Sequence, residues 1–310
     1  MTPGARSPRT RVLIVGGGFA GVACGRALAK QPGIEVLLVD KNDYHQFQPL
    51  LYQVATSMLA AGDIAYPLRR IGAEYHDFAV KRGEVVAVDP VARVVTTSTG
   101  ETYAGDYLVL AAGSQPNFFG VPGAEHAFPL YSLDDADRLR ARIIEAFEEV
   151  DRVPDLADLG AINFIVVGGG PTGVEVAGAL SEMINTTIVH EFPAIAPRAK
   201  VVLVDHGHAL LAMFADKGHA YAAQVLGQDG VELRLGTGVT EVGPGHVTLT
   251  DGSTLPTRCV IWGGGLQAAA VAAAAGSAGL PTGRGGRVDV QPDFTIEGFP
   301  AVLAIGDVAN

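Results

Sequence analysis

Two glycine-rich turns are the parts of this 310-residue sequence best suited to chemistry: Gly16-Gly17-Gly18-Phe19-Ala20-Gly21 and, 152 residues later, Gly168-Gly169-Gly170-Pro171-Thr172-Gly173. Both fit G-x-G-x-x-G. The first glycine of that pattern makes a tight turn, the second lets a pyrophosphate approach bare backbone N–H groups at a helix start, and the third allows close helix–strand packing. An acid at the end of the following strand accepts ribose hydroxyls, the alternative being a solvated strand end. Asp40 lies 24 positions after Gly16, near the expected ~20. Asp205 comes later, 37 positions after Gly168, and the excess is Ser181 to Lys200, read as a polar surface insertion. One such turn is weak evidence. Two in matching contexts point to two dinucleotides, and a flavin with a nicotinamide is the pair that exchanges electrons. Asp205 has no arginine just after it, which favours NADH over NADPH.

The elements that must position these turns repeat as well. Arg11 to Val15 and Ile162 to Val167 are apolar runs of the buried parallel-strand type, followed by helical stretches Val22 to Ala29 and Val174 to Met183. Val36 to Val39 and Val201 to Val204 are the next strands, ending in the two acids. Short alternating runs then read as a β-meander in each half: Glu84 to Val88 and Arg93 to Ser98, and later Val231 to Leu235, Val239 to Val242 and His246 to Thr250. Tyr107 to Ala111 and Cys259 to Trp262 are buried strands leading to Gly113 and Gly263. Asp134 to Asp151 carries Leu139, Ile143, Ile144 and Phe147 at helical spacing. Arg287 to Val290 and Ala301 to Ile305 are expected as strands returning to the first half. The fold class is therefore α/β, two Rossmann-like dinucleotide-binding domains, each with a parallel sheet and a β-meander insertion. The expected division is 1–114 with 282–310 against 115–281.

Composition excludes several other classes. Hydrophobic residues are 48% and charged ones 18%, which rules out a disordered chain. A net charge of −11 without a basic cluster opposes nucleic-acid binding. Cys24 and Cys259 are 235 positions apart, so neither a metal site nor a dithiol centre is expected. Met1 to Thr10 is a polar tail and not a signal peptide. The uncharged run between Arg258 and Arg284 holds too many glycines for a spanning helix. A reducing cytoplasm fits.

The segments Asp40–Thr56 (DKNDYHQFQPLLYQVAT), Leu108–Ser114 (LVLAAGS), Gly168–Glu175 and Ala304–Asp307 (AIGD) carry a resemblance. In them the sequence resembles the FAD/NAD-binding pyridine nucleotide-disulfide oxidoreductase superfamily and, within it, the type II NADH:quinone oxidoreductases. The resemblance implies FAD in the first half, against Gly16, Gly18, Phe19, Ala20 and Gly21. Asp40 and Lys41 would stand at the adenosine ribose, Val86 at the adenine, and Ala112 and Gly113 at a close backbone passage. Asp307 would meet the ribityl-phosphate region, with Pro49 and Leu50 near the isoalloxazine. NADH would lie against Gly168, Gly170, Pro171, Thr172, Gly173 and Gly264, with Asp205 at its ribose. Glu175 would stand beside the flavin, although Thr172-x-x-Glu175 also fits a helix capping box. Tyr44, His45 and His76 are candidate proton donors, with local hydrogen bonding the commoner role for such residues.

The implied activity is that of a non-electrogenic FAD-dependent NADH dehydrogenase: hydride passes from the nicotinamide to the flavin, then two electrons to a quinone. A ferredoxin-like protein or oxygen is the alternative acceptor, and a truncated nucleotide-binding chain without turnover is a third reading. Members of that family continue past the Gly-Asp motif into membrane-binding segments. The chain is expected to lack this part, so contact with the cytoplasmic face of the inner membrane would belong to the longer form. A homodimer is left open.

Overall fold

The computed structural model describes residues 9–310, so most of the polar tail read from the sequence lies outside the described residues. The chain divides into two compact units. The first comprises the described part of Met1–Gln46 with Ala65–Gln115 and Leu266–Asn310, the second Phe47–Ile64 and Pro116–Gly265.

In the first unit six strands run in the order Thr295–Ile296, Phe299–Ala304, Tyr107–Leu110, Thr10–Val15, Ile34–Asp40, Phe78–Arg82. All neighbours are parallel except the first pair. The central strand shows why the sequence is uninterruptedly apolar there: both faces are covered. Val12 and Ile14 pack with Val22, Leu68 and Ile71 on one side. Leu13 and Val15 pack on the other with Val88 and Val95 of the meander and with Val271, Ala272 and Ala275.

The second unit repeats the plan with parallel strands in the order Phe128–Pro129, Cys259–Trp262, Asn163–Val167, Lys200–Asp205, Val231–Leu235. Its three-stranded meander contributes Val239, Val242, Val247 and Leu249 to a core shared with Ile165, Val167, Val202 and Val204. The long helix Leu133–Arg152 begins in a capping box: Ser132 accepts the Asp135 N–H at 3.1 Å, and the Asp135 carboxylate accepts the Ser132 N–H at 2.9 Å. Its Phe147 ring packs on Phe164 at 5.9 Å.

Several expectations need correction. Val231–Leu235 joins the parallel sheet, not the meander, because the helix Asp216–Gln228 before it makes the crossover that a parallel strand requires. Arg287 to Val290 forms no strand; only Val288 bridges, to Thr282 and Ala309. Ser181 to Lys200 is not simply a surface insertion, since the helix runs on through the π-turn Ile184–Ile188 and buries Ile184 and Ile188. The unit boundaries also differ from the expected 114/115 and 281/282. Leu266–Pro281 falls in the first unit because Ala268, Val271, Ala272, Ala275 and Leu280 pack beside Val88 and Leu108. Phe47–Ile64 falls in the second, where the helix Leu51–Ala55 packs on Leu133–Arg152 and Pro171–Met183.

Candidate functional site

The two glycine turns adopt the same geometry. Gly16 has φ +108° and Gly168 φ +109°, a region that side chains disfavour. A Cβ on Gly16 would lie 2.3 Å from the Ala111 carbonyl oxygen, and one on Gly168 2.6 Å from that of Gly263, again 152 residues on. A Cβ on Gly21 would meet the Gly16 carbonyl oxygen at 1.9 Å, and one on Gly173 that of Gly168 at 1.8 Å. Protein packing therefore accounts for the first and third glycines of each motif. It does not account for the second, because a Cβ on Gly18 or Gly170 would meet nothing within 4 Å. Each of these is the N-cap of its helix, Phe19–Leu28 or Pro171–Met183, with extended backbone. The first amides of such a helix have no intrahelical acceptor. Open space in front of them is what a pyrophosphate requires, so both cradles fit a dinucleotide.

The two acids are built in alike. Asp40 accepts the Gly17 N–H at 2.5 Å and the Asn42 N–H at 2.7 Å. Asp205 accepts the Gly169 N–H at 2.6 Å and the Gly207 N–H at 2.6 Å. Neither is a freely solvated strand end. Burial raises the Asp40 carboxyl above its usual range, against the lowering effect of the two backbone bonds. Each carboxylate oxygen keeps a further lone pair for a ribose hydroxyl.

Around the first cradle, Lys41 is exposed just after Asp40. Val86 is 49% exposed at a bulge between Val85 and Ala87. Gly113 has φ +70° after the half-buried Ala112. Asp307 accepts the Ser114 hydroxyl at 3.2 Å, and its neighbour Gly306 comes so near Ala20 that a Cβ would stand 2.8 Å from the alanine methyl. The sequence reading did not single out Ser114 or Gly306. The Gly-Asp dipeptide near the end was the available signal for the second, since φ +72° at Gly306 requires glycine there.

Around the second cradle, Gly264 lies in the turn that backs Gly168. Pro171 and Thr172 lie in the first helical turn, so Thr172 is no N-cap and the capping box with Glu175 does not form. Glu175 is exposed and has no hydrogen-bond or ion-pair partner among the described residues, and partial desolvation raises its carboxyl above the usual range. Pro49 and Leu50 form a single 3-10 turn leading into Leu51–Ala55, within the second unit. Of the candidate proton donors, His76 is engaged by Asp77 at 2.8 Å and His45 by the Gly17 carbonyl at 2.9 Å. Cys259 is fully buried, which pushes its thiol up to about 12, and burial also raises Cys24. Both cysteines are free. No group of three metal-binding side chains occurs among the described residues, and none of their helices is long and apolar enough to cross a membrane.

Comparison with known proteins agrees with this geometry. The model of the family "Pyridine nucleotide-disulphide oxidoreductase" matches residues 10–310. The chain is 37% identical to the type II NADH:quinone oxidoreductase Ndh of Mycobacterium tuberculosis, covering 99% of this chain and 69% of that protein. It is 38% identical to NdhA of the same organism, covering 99% and 67%. Among solved structures, that of NDH2 from Plasmodium falciparum in complex with NADH superposes with a TM-score of 0.88 at 19% identity, over 97% of this chain and 64% of that one. The chain belongs to the pyridine nucleotide-disulphide oxidoreductase family and, within it, to the type II NADH:quinone oxidoreductases.

Proposed function

We propose that the first cradle holds FAD and the second NADH, and that the chain uses them to reduce a quinone. The observation that carries this reading is the repeated open glycine. Gly18 and Gly170 are the motif positions whose missing side chain no protein atom explains. When bound, the flavin accepts a hydride from a nicotinamide and passes on two electrons.

The chain's own residues bind and aim. The first-turn amides of Phe19–Leu28 and Pro171–Met183 face the two pyrophosphates, where the helix dipoles favour negative charge. Asp40, with Lys41 next to it, takes the FAD ribose, and Asp205 that of NADH. Val86 stands at the adenine, Ala112 and Gly113 let the FAD backbone pass, and Asp307, oriented by Ser114, meets the ribityl phosphate. Pro49 and Leu50 serve the isoalloxazine, Gly264 the NADH side, and Glu175 is the candidate acid beside the reacting rings. Its lack of partners among the described residues leaves its carboxyl available to a ligand.

A thiol route is opposed by the burial of Cys259 and the raised pKa of both cysteines. A quinone acceptor dissolved in a bilayer goes with peripheral attachment to a membrane surface.

The test is NADH-dependent reduction of a soluble quinone by the FAD-loaded chain and by Glu175→Gln. The wild type should turn over. The variant should melt as the wild type does, within about 0.5 kcal/mol for an unpartnered surface group, while kcat/KM for NADH falls about tenfold or more. An unchanged kcat/KM would remove Glu175 from the site, and a wild type without turnover would remove the function.

A further inference from the structure

We propose that His45 is a positioning residue of the first cradle, latching the carbonyl of Gly17 so that the glycine turn is fixed for the FAD pyrophosphate. The proposal rests on the reading that this cradle binds FAD. Three consecutive glycines, Gly16 to Gly18, give the backbone wide conformational freedom exactly where the ligand needs a fixed row of amides. The middle residue, Gly17, is therefore held at both its N–H and its C=O, one group from each of the two peptides that flank it. Asp40 takes the Gly17 N–H at 2.5 Å, and His45 Nδ1 lies 2.9 Å from the Gly17 carbonyl oxygen. A carbonyl oxygen only accepts, so Nδ1 carries the proton in this contact.

The second cradle meets the same need by another route. Asp205 takes the Gly169 N–H at 2.6 Å, and the Gly169 carbonyl accepts the backbone N–H of Leu211 at 2.7 Å. Leu211 makes this bond from φ +53°, a left-handed conformation that disfavours a branched side chain. One turn is thus latched by a side chain and the other by strained main chain, which marks the latch as a requirement of the cradle and not an accident of packing. His45 is itself well held. It lies on the strand Tyr44–Gln46, paired opposite Tyr66, and its ring meets that of Phe19 edge-on at 5.1 Å.

The test measures FAD dissociation from the full chain and from His45→Ala, His45→Asn and His45→Gln. The asparagine amide nitrogen reaches the place of Nδ1, whereas glutamine carries its amide one methylene further. His45→Ala should weaken FAD binding about tenfold, the loss of one good hydrogen bond. His45→Asn should return to within about threefold of the wild type, and His45→Gln should resemble alanine. The NADH KM of the FAD-saturated variants should not move, because the second cradle is latched by Leu211. Should alanine prevent folding, the asparagine and glutamine pair decides alone. Wild-type affinity in His45→Ala, or equal affinities in the asparagine and glutamine variants, would overturn the latch. A wild type that binds no FAD would end the reading on which it rests.

Discussion

Replacing Gly170 by alanine separates a ligand cradle from a merely structural turn. The backbone there, φ −76° and ψ −177°, suits alanine, and the new methyl would meet no protein atom within 4 Å. The folding cost is then the poorer N-cap, about 0.5 to 1 kcal/mol, or roughly 1 to 3 °C in Tm for a chain of this size. The ligand side is different. A methyl projecting into the space before the first amides holds the pyrophosphate away and weakens at least one charge-assisted hydrogen bond of about 1.5 to 3 kcal/mol. At 1.4 kcal/mol per tenfold, NADH affinity should fall roughly 10- to 100-fold. Gly168→Ala is the control. It needs an alanine at φ +109° with its Cβ 2.6 Å from a carbonyl oxygen, so it should lose several kcal/mol of stability. Calorimetric melting and fluorescence titration with NADH on both variants give the answer. Gly170→Ala binding NADH like the wild type, or melting like Gly168→Ala, would refute the reasoning. Gly18→Ala should act in the same way on flavin retention.

Asp205→Asn turns an amide N–H₂ toward one of the two backbone donors, Gly169 or Gly207, that the carboxylate now satisfies. Thermal melting should show a loss of about 1 to 3 kcal/mol with a raised NADH KM, and no change in either would contradict the placement. Glu149 is held below its ordinary 4.5 chiefly by its hydrogen bonds from Arg142. A depressed carboxylate contributes fully above its unfolded value and loses that contribution as pH falls through the folded one. The stability difference between wild type and Glu149→Gln should therefore be constant above pH 4.5 and shrink below it, and a difference flat through that range would contradict the pairing.

The glycine turns, their acids and the duplication were legible because each depends on residue type at fixed spacing. The 152-residue offset holds down to the contacts of Gly16 with Ala111 and Gly168 with Gly263. Val231–Leu235 misled because it is an edge strand, whose half-exposed face produces the alternation of a meander. Ala270–Ser277 has no polar residue to mark an outer face before Ser277, so its membership in the first unit could not be read from periodicity. The crossing of Phe47–Ile64 into the second unit is a matter of packing by Leu51, Val54 and Ala55, which local sequence does not encode. The Leu211 latch was invisible because a main-chain N–H has no residue signature, whereas the matching His45 had one whose purpose only the structure supplies.

An anaerobic titration of the FAD-loaded 310-residue chain with NADH, followed by a soluble quinone, tests the central claim most directly. Bleaching of the flavin absorbance by about one equivalent of NADH, with recovery on adding quinone, is the expected result. A bound flavin that NADH does not bleach would contradict the pairing of the two cradles as donor and acceptor sites, and a flavin bleached by NADH but not restored by quinone would contradict the assigned acceptor.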